Sequence, residues 1–430
     1  MLNPSLKDKY IYYNIIAHYI TAALFFLVIS VLFQFSSESF IGHYFHPKIL
    51  ALTHLATLGW VSFIIIGSLY QLVPVLTNKK IYSPIASYIT YICLLFGTIL
   101  LATSFWSFNV GFLIQFSASL IFIGITIFLI NLILTVKDSI ENNIEIDFIQ
   151  SSVFWFWFTA FIGLLLAYNF RYTFLTKEHL YYLKIHAHIG LIGWFLCLII
   201  GVASKLIPMF LLSGKTNARH LSVCFYLINI GLLGFIIDAL FFNGLDRAYI
   251  YIIFIFSGIA LFINLILNAF KTRARKKLDI NLTHTYIAFI CFTIPIILWI
   301  IVKINLISSK QIELQLFSAI VFSLLFGFVT FLILGQTFKN LAYIVWLKKY
   351  QEISGKVKTP LPKDLYSEKL AHIQLYLFIS GFITILCGIL ISSSLFIKIG
   401  SCFFIFTAIL YTINVFKIVL HKVTVNLQNK

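Results

Sequence analysis

The chain has 430 residues, 61% hydrophobic and 10% charged, with a mean hydropathy of +1.00. That balance excludes a water-soluble domain, because too few polar side chains are present to face water. The formal charge of +17 would point to nucleic acid in a soluble protein; here the basic residues sort by side of a membrane, and we expect a lipid bilayer as the partner and no nucleic acid.

The N-terminus, Met1 to Lys9, lacks the cleavage pattern of a secretory signal, so the first apolar run is expected to remain. Apolar runs of at least about 18 residues, separated by polar turns, predict spanning helices. They fall near 11–35, 48–76, 84–105, 108–136, 148–171, 184–213, 220–242, 248–270, 284–306, 311–346, 370–395 and 396–421. If the N-terminus is inside, the inner ends and loops collect 23 of the 31 Lys and Arg and the outer ones the other 8. The positive-inside rule then predicts both termini in the cytoplasm, in what we expect to be a bacterial inner membrane. The segment 137–147 runs against this bias, since Asp138, Glu141, Glu145 and Asp147 outnumber Lys137. Acidic residues weigh little in the rule. The six cysteines, Cys93, Cys197, Cys224, Cys291, Cys387 and Cys402, sit in apolar stretches without paired spacing and read as small core residues.

One word is written twice. His54-Leu-Ala-Thr-Leu58-Gly59-Trp60 runs on through Gly67 to Gln71 and Pro74, and His188-Ile-Gly-Leu-Ile192-Gly193-Trp194 runs on through Gly201 to Lys205 and Pro208. The same step along the chain, taken once more from His188, leads to Phe322, after which Phe326, Gly327, Phe328, Gly335 and Lys339 fall on the matching places. The third copy has lost its histidine. A fixed long period predicts three versions of one unit, about 1–136, 137–270 and 271–430, within a single membrane domain. The expected fold is all-α, with twelve transmembrane helices in three four-helix arcs and helices 2, 6 and 10 equivalent.

An imidazole in hydrocarbon is costly unless bonded, which makes His54 and His188 candidate haem or copper ligands at one depth in the outer half of the bilayer. The bland reading is that each bonds a carbonyl or hydroxyl. His186 would be a third metal ligand only if the helix starts between it and His188, since residues two apart on a helix point about 200° apart. His43 and His46 form a His-x-x-His in an outer loop that reads as solvated, His18 reads as a bonded core histidine, and His179, His220, His284, His372 and His421 read as interfacial. Gly59 and Gly193 let helices approach closely and would also leave room for a flat macrocycle, with Trp60 and Trp194 as packing aromatics or as walls of a cofactor slot. Gln71, Lys205 and Lys339, about 25 Å further along, would make a polar layer at the inner surface, the lysines snorkelling. Asp238 is the one carboxylate clearly within an apolar run and is expected to pair with Arg171, Arg247 or a histidine. Pro74 and Pro208 should kink or stop their helices.

Twelve helices with both ends inside, in three arcs, with a second helix of the form His-x-x-x-Leu-Gly-Trp, resemble subunit I of the haem-copper oxidases, nearest to the cytochrome-oxidase-like and nitric oxide reductase branches. The architecture covers the whole chain and the motif covers 54–74 and 188–208. The resemblance implies that His54 ligates a low-spin haem. Helix 10, where the family carries two haem-ligating histidines, here shows Phe322, and helix 7 lacks the family's His-His pair. The full binuclear oxygen-reducing site is therefore not expected. NnrS-type proteins, a second twelve-helix haem family, would tolerate sparser histidines.

The expected function is binding of haem or copper through His54 and His188 in respiratory electron transfer or the handling of oxygen or nitric oxide, with a cytochrome or other respiratory subunit as the expected partner. The alternatives are a transporter or cofactor-delivery protein lined by Gln71, Lys205, Asp238 and Lys339, and a non-catalytic partner subunit.

Overall fold

The computed structural model describes residues 8–137, 143–214, 217–242, 244–304 and 309–423. Asp138 and Glu141 lie outside them. Among the described residues there is no β-strand, and twelve helices are long and apolar enough to cross a membrane. We name them α1 (Lys9–Phe35), α2 (Pro47–Thr77), α3 (Pro84–Trp106), α4 (Phe112–Val136), α5 (Ile144–Tyr172), α6 (His179–Leu211), α7 (Ala218–Phe241), α8 (Ala248–Lys271), α9 (Ile280–Lys303), α10 (Lys310–Tyr350), α11 (Glu368–Leu390) and α12 (Ser394–Val419). The protein is an all-α integral membrane protein. Its helices keep large apolar side chains such as Ile85, Ile253 and Leu395 on the outside, where lipid replaces the water that would penalise them.

The helix ends have local causes. Asp8, Asn143, Asn217, Asp279, Ser367 and Ser393 cap α1, α5, α7, α9, α11 and α12 by accepting backbone N–H groups. Pro295 has no N–H to give back to Cys291, and α9 is interrupted at Phe292. Pro74 and Pro208 do not stop α2 and α6 at once. The helices run on to Thr77 and Leu211, and the residues that follow, Asn78 and Leu212, are left-handed at φ 51° and 52°. The third copy has Ala342 in place of the proline, and α10 continues to Tyr350.

The chain divides into two compact units. The first comprises Met1–Val75, Leu94–Asn109 and Leu278–Lys430, and the second comprises Leu76–Cys93 and Val110–Lys277. In the first unit α1 packs on α2 and α12, and α9 on α10. In the second, α5 packs on α4 and α6, and α7 on α8.

The repeated word has a backbone signature. Leu55–Ser62, Ile189–Leu196 and Ser323–Thr330 are π-helical, and each starts directly after His54, His188 or Phe322. The irregularity therefore recurs at the same interval as the word. The glycines explain why the word is kept. A Cβ on Gly67 would lie 2.8 Å from Cβ of His18, on Gly201 2.5 Å from Cβ of Phe148, and on Gly335 2.6 Å from Cβ of His284. Only glycine lets α2, α6 and α10 come that close to α1, α5 and α9. Two turns along those partner helices, Phe25, Trp155 and Cys291 meet Gly59, Gly193 and Gly327. At the next position, Phe26 packs on Trp60 with ring centroids 4.7 Å apart, Phe156 on Trp194 at 4.3 Å and Phe292 on Phe328 at 4.5 Å. The same helix pair is thus built three times in one register.

Candidate functional site

His54 and His188 are each the last residue before a π-helical segment, a backbone irregularity that recurs at functional sites. Nδ1 of His54 lies 2.8 Å from the carbonyl of Leu50, and Nδ1 of His188 lies 2.7 Å from that of Lys184. A carbonyl only accepts, so Nδ1 carries the hydrogen in both rings. In a neutral imidazole this puts the lone pair on Nε2, the tautomer in which a backbone carbonyl orients a metal-binding histidine. His54 is half-buried and lies against Phe105, centroids 5.0 Å apart and planes at 27°. His188 is exposed and tilts over Phe235 at 5.3 Å. His54 belongs to the first unit and His188 to the second.

His186 is placed differently. Helix α6 begins at His179, ahead of both histidines, so the condition for His186 and His188 to share one metal is not met. Nδ1 of His186 donates to the carbonyl of Thr159 on α5 at 3.0 Å, and its ring sits over Gly163. In the loop before α2, Nδ1 of His43 accepts from the N–H of Phe45 and Nδ1 of His46 from that of Lys48, so these rings serve as a turn brace and the cap of α2. Burial, then Lys48, holds His46 below the usual imidazole range. Among the described residues no three His, Cys, Asp or Glu side chains gather into a metal site.

Gly59 and Gly193 are occupied by packing. A Cβ on Gly59 would meet the Phe25 ring at 2.7 Å and one on Gly193 the Trp155 side chain at 2.6 Å, so neither glycine leaves space for a macrocycle beside it. Trp60 and Trp194 are fully buried and stacked on phenylalanines of α1 and α5. They are core aromatics.

The polar positions at the other end of the word find partners that the word itself does not contain. Lys205 pairs with Glu145 at 3.8 Å, and Lys339 pairs with Asp279 at 3.2 Å, its side chain only 14% exposed. Lys339 therefore does not snorkel into open solvent. Gln71 is half-buried at the matching place. Asp238 is buried and accepts from Arg247 at 2.5 Å, as the pairing argument expects.

Two further histidines are brought into equivalence by packing. His18 and His284 occupy the same place, opposite Gly67 and Gly335, and both are fully buried. Each gives Nδ1–H to the carbonyl four residues back, Asn14 or Ile280, at 2.8 Å. His18 is a bonded core histidine, as expected. His284, read from sequence as interfacial, stands in the second turn of α9 and is fully buried under α10. The second glycine of the word carried the signal, since it marks where a partner helix presses closest.

No protein-family profile matches this chain, and no curated protein matches it.

Proposed function

We propose that the protein is a haem-binding integral membrane protein of haem-copper-oxidase-like organisation, with His54 and His188 as its haem-ligating residues, serving electron transfer or the handling of oxygen or nitric oxide. The observation that carries this reading is the common state of the two rings: both are fixed by Nδ1 to a carbonyl of their own helix, both have the lone pair on Nε2, and both precede a π-helical segment. A neutral imidazole in this state suits a haem iron. The two rings do not suit the family's binuclear centre, because Phe322 replaces the third histidine and no three-ligand cluster forms among the described residues. Copper alone is disfavoured on the same ground, since His186 is held by α5.

A bound haem would supply reversible one-electron chemistry. The protein's own part is to hold two imidazoles in the ligating tautomer, with Phe105 and Phe235 limiting ring rotation. The three arcs of this reading are α1–α4, α5–α8 and α9–α12. In this reading both termini lie on the cytoplasmic side of a bacterial inner membrane, an orientation the basic bias supports, and an electron donor or acceptor such as a cytochrome or another respiratory subunit is the implied partner.

Optical spectroscopy of the purified protein tests the proposal. A Soret band is expected, and His54→Ala and His188→Ala should each abolish it or change the spin state. Protein that carries no haem after expression with haem supplied, or a spectrum that neither variant alters, overturns it and returns attention to transport or a partner-subunit role.

A further inference from the structure

The end of the first unit where α9 begins holds more buried hydrogen-bonding capacity than its protein neighbours meet. Asn281 and His284 are neighbours on one face of α9, both nearly or fully buried. The tautomer of His284 is set by donation of Nδ1–H to Ile280, so its Nε2 is an acceptor. Thr285 spends its hydroxyl hydrogen on the carbonyl of Asn281. It can then only accept from Gln336, which fixes the Gln336 amide with Nε2 toward Thr285 at 2.7 Å and leaves Oε1 as a second acceptor. Asn281 gives Nδ2–H to Tyr366 at 3.1 Å and keeps Oδ1 as a third. Among the described residues, none of His284 Nε2, Gln336 Oε1 and Asn281 Oδ1 meets a donor, and both amide atoms of the fully buried Gln374 are also unmet.

Gln374 stands at the same level. Tyr366 stacks on Phe338 and Phe378 packs on Phe331, so on α11 Gln374 falls between these contacts, beside the stretch of α10 containing Gly335, against which His284 packs. In hydrocarbon such atoms are costly unless water or a ligand reaches them. The outward side is charged. Asp279 and Lys339 pair at 3.2 Å with side chains 29% and 14% exposed, and Asp279 lies about 7 Å nearer the helix start than His284. Tyr366, with Glu368 within its electrostatic reach, and His372, within that of His284, are further titratable groups on this side. The second repeat has Phe148, Ile149 and Val202 where this one has His284, Thr285 and Gln336.

We propose that His284, Asn281, Gln336 and Gln374 line a hydrated chamber, entered past the Asp279–Lys339 pair, in which the His284 imidazole exchanges protons with the adjacent aqueous phase. Water donates to the three acceptors and bonds both amide atoms of Gln374. A hydrated proton arriving along these waters is transferred to Nε2, leaving water and an imidazolium that still donates Nδ1–H to Ile280; the reverse step returns the proton. The chamber requires no cofactor and stands apart from the haem reading.

Cysteine accessibility tests it on the full-length chain in lipid nanodiscs. On a cysteine-free background, His284→Cys and Gln374→Cys should react with a small cationic methanethiosulfonate at least about tenfold faster than a chain keeping only native Cys291, two turns along the same face of α9 and packed against Gly327. A folded His284→Cys protein that reacts no faster than Cys291 overturns the proposal. Should that variant not fold, the unsubstituted chain labelled with ¹⁵N-histidine decides: magnetisation exchange between bulk water and the His284 ring nitrogens is expected, with the signal assigned by its loss in His284→Gln. A dry ring without such exchange overturns it equally.

Discussion

Trp60 donates its indole N–H to the hydroxyl of Thr330 at 3.2 Å, joining the first and third copies of the repeated word inside one compact unit. Thr330 passes its own hydrogen to the carbonyl of Leu325, five residues back in the π-helical segment, at 2.8 Å. Ser62 does the same for Thr57 at 2.7 Å in the first copy. Thr330→Val keeps the shape but strands a buried N–H, and it should cost about 1–3 kcal/mol. Thermal unfolding in detergent measures this, and Trp60→Phe in the Thr330→Val background should recover part of the loss, as a double-mutant cycle would reveal.

The close helix crossings at the word's second glycine should resist any side chain. Gly201→Ala places a Cβ 2.5 Å from Cβ of Phe148, and Gly335→Ala places one 2.7 Å from the backbone carbonyl of Asn281. Neither obstacle is a flexible tip that can swing away. Each substitution should lower stability by about 1–3 kcal/mol. Gly214→Ala, with nothing within 4 Å, should leave the unfolding midpoint unchanged.

The two lysines at the equivalent position should differ in their worth. Lys205 is half-exposed and 3.8 Å from Glu145, so Lys205→Met should change stability by less than about 1 kcal/mol. Lys339 is mostly covered, and Lys339→Met removes the cation paired with Asp279 at the start of α9; a loss of about 1–3 kcal/mol is expected. Asp279→Asn in that background should restore part of it, because asparagine still caps the helix.

Acid should loosen the end of the described chain. The His421 imidazole, bonded to the Tyr350 hydroxyl at 2.7 Å, is held below its usual value of 6.5 by burial first and then by Lys349 and Lys417. The unfolded segment therefore binds the proton more readily than the docked one. Docking is fully favourable above the ordinary imidazole range and weakens as pH falls through it. The protection factors against hydrogen exchange at His421 to Val423, corrected for the intrinsic pH dependence of exchange, should fall between about pH 7.5 and about pH 5, and His421→Gln should flatten that dependence.

Much of the fold was legible in the order of residues. Length and apolarity alone mark twelve spans, because hydrocarbon leaves a helix as the one local way to satisfy every backbone group. The word at His54, His188 and Phe322 is carried within single helices, so one constant offset aligns all three copies, their π-helical segments included. The partner helices could not be aligned that way. The chain from His18 to His54 is shorter than that from His284 to Phe322, which is shorter again than that from Phe148 to His188, and no single slide brings α1, α5 and α9 into register. Only packing shows that His18, Phe148 and His284 share one place. The same holds for the polar residues: Lys339 and Lys205 are visible in the word, whereas Asp279 and Glu145 become their partners only when α9 and α5 lie against α10 and α6. Sequence determined what each helix can bury, since that depends on its own side chains. Tertiary structure alone decided which buried polar atom meets which, because that depends on how two helices separated by loops of unequal length come into contact.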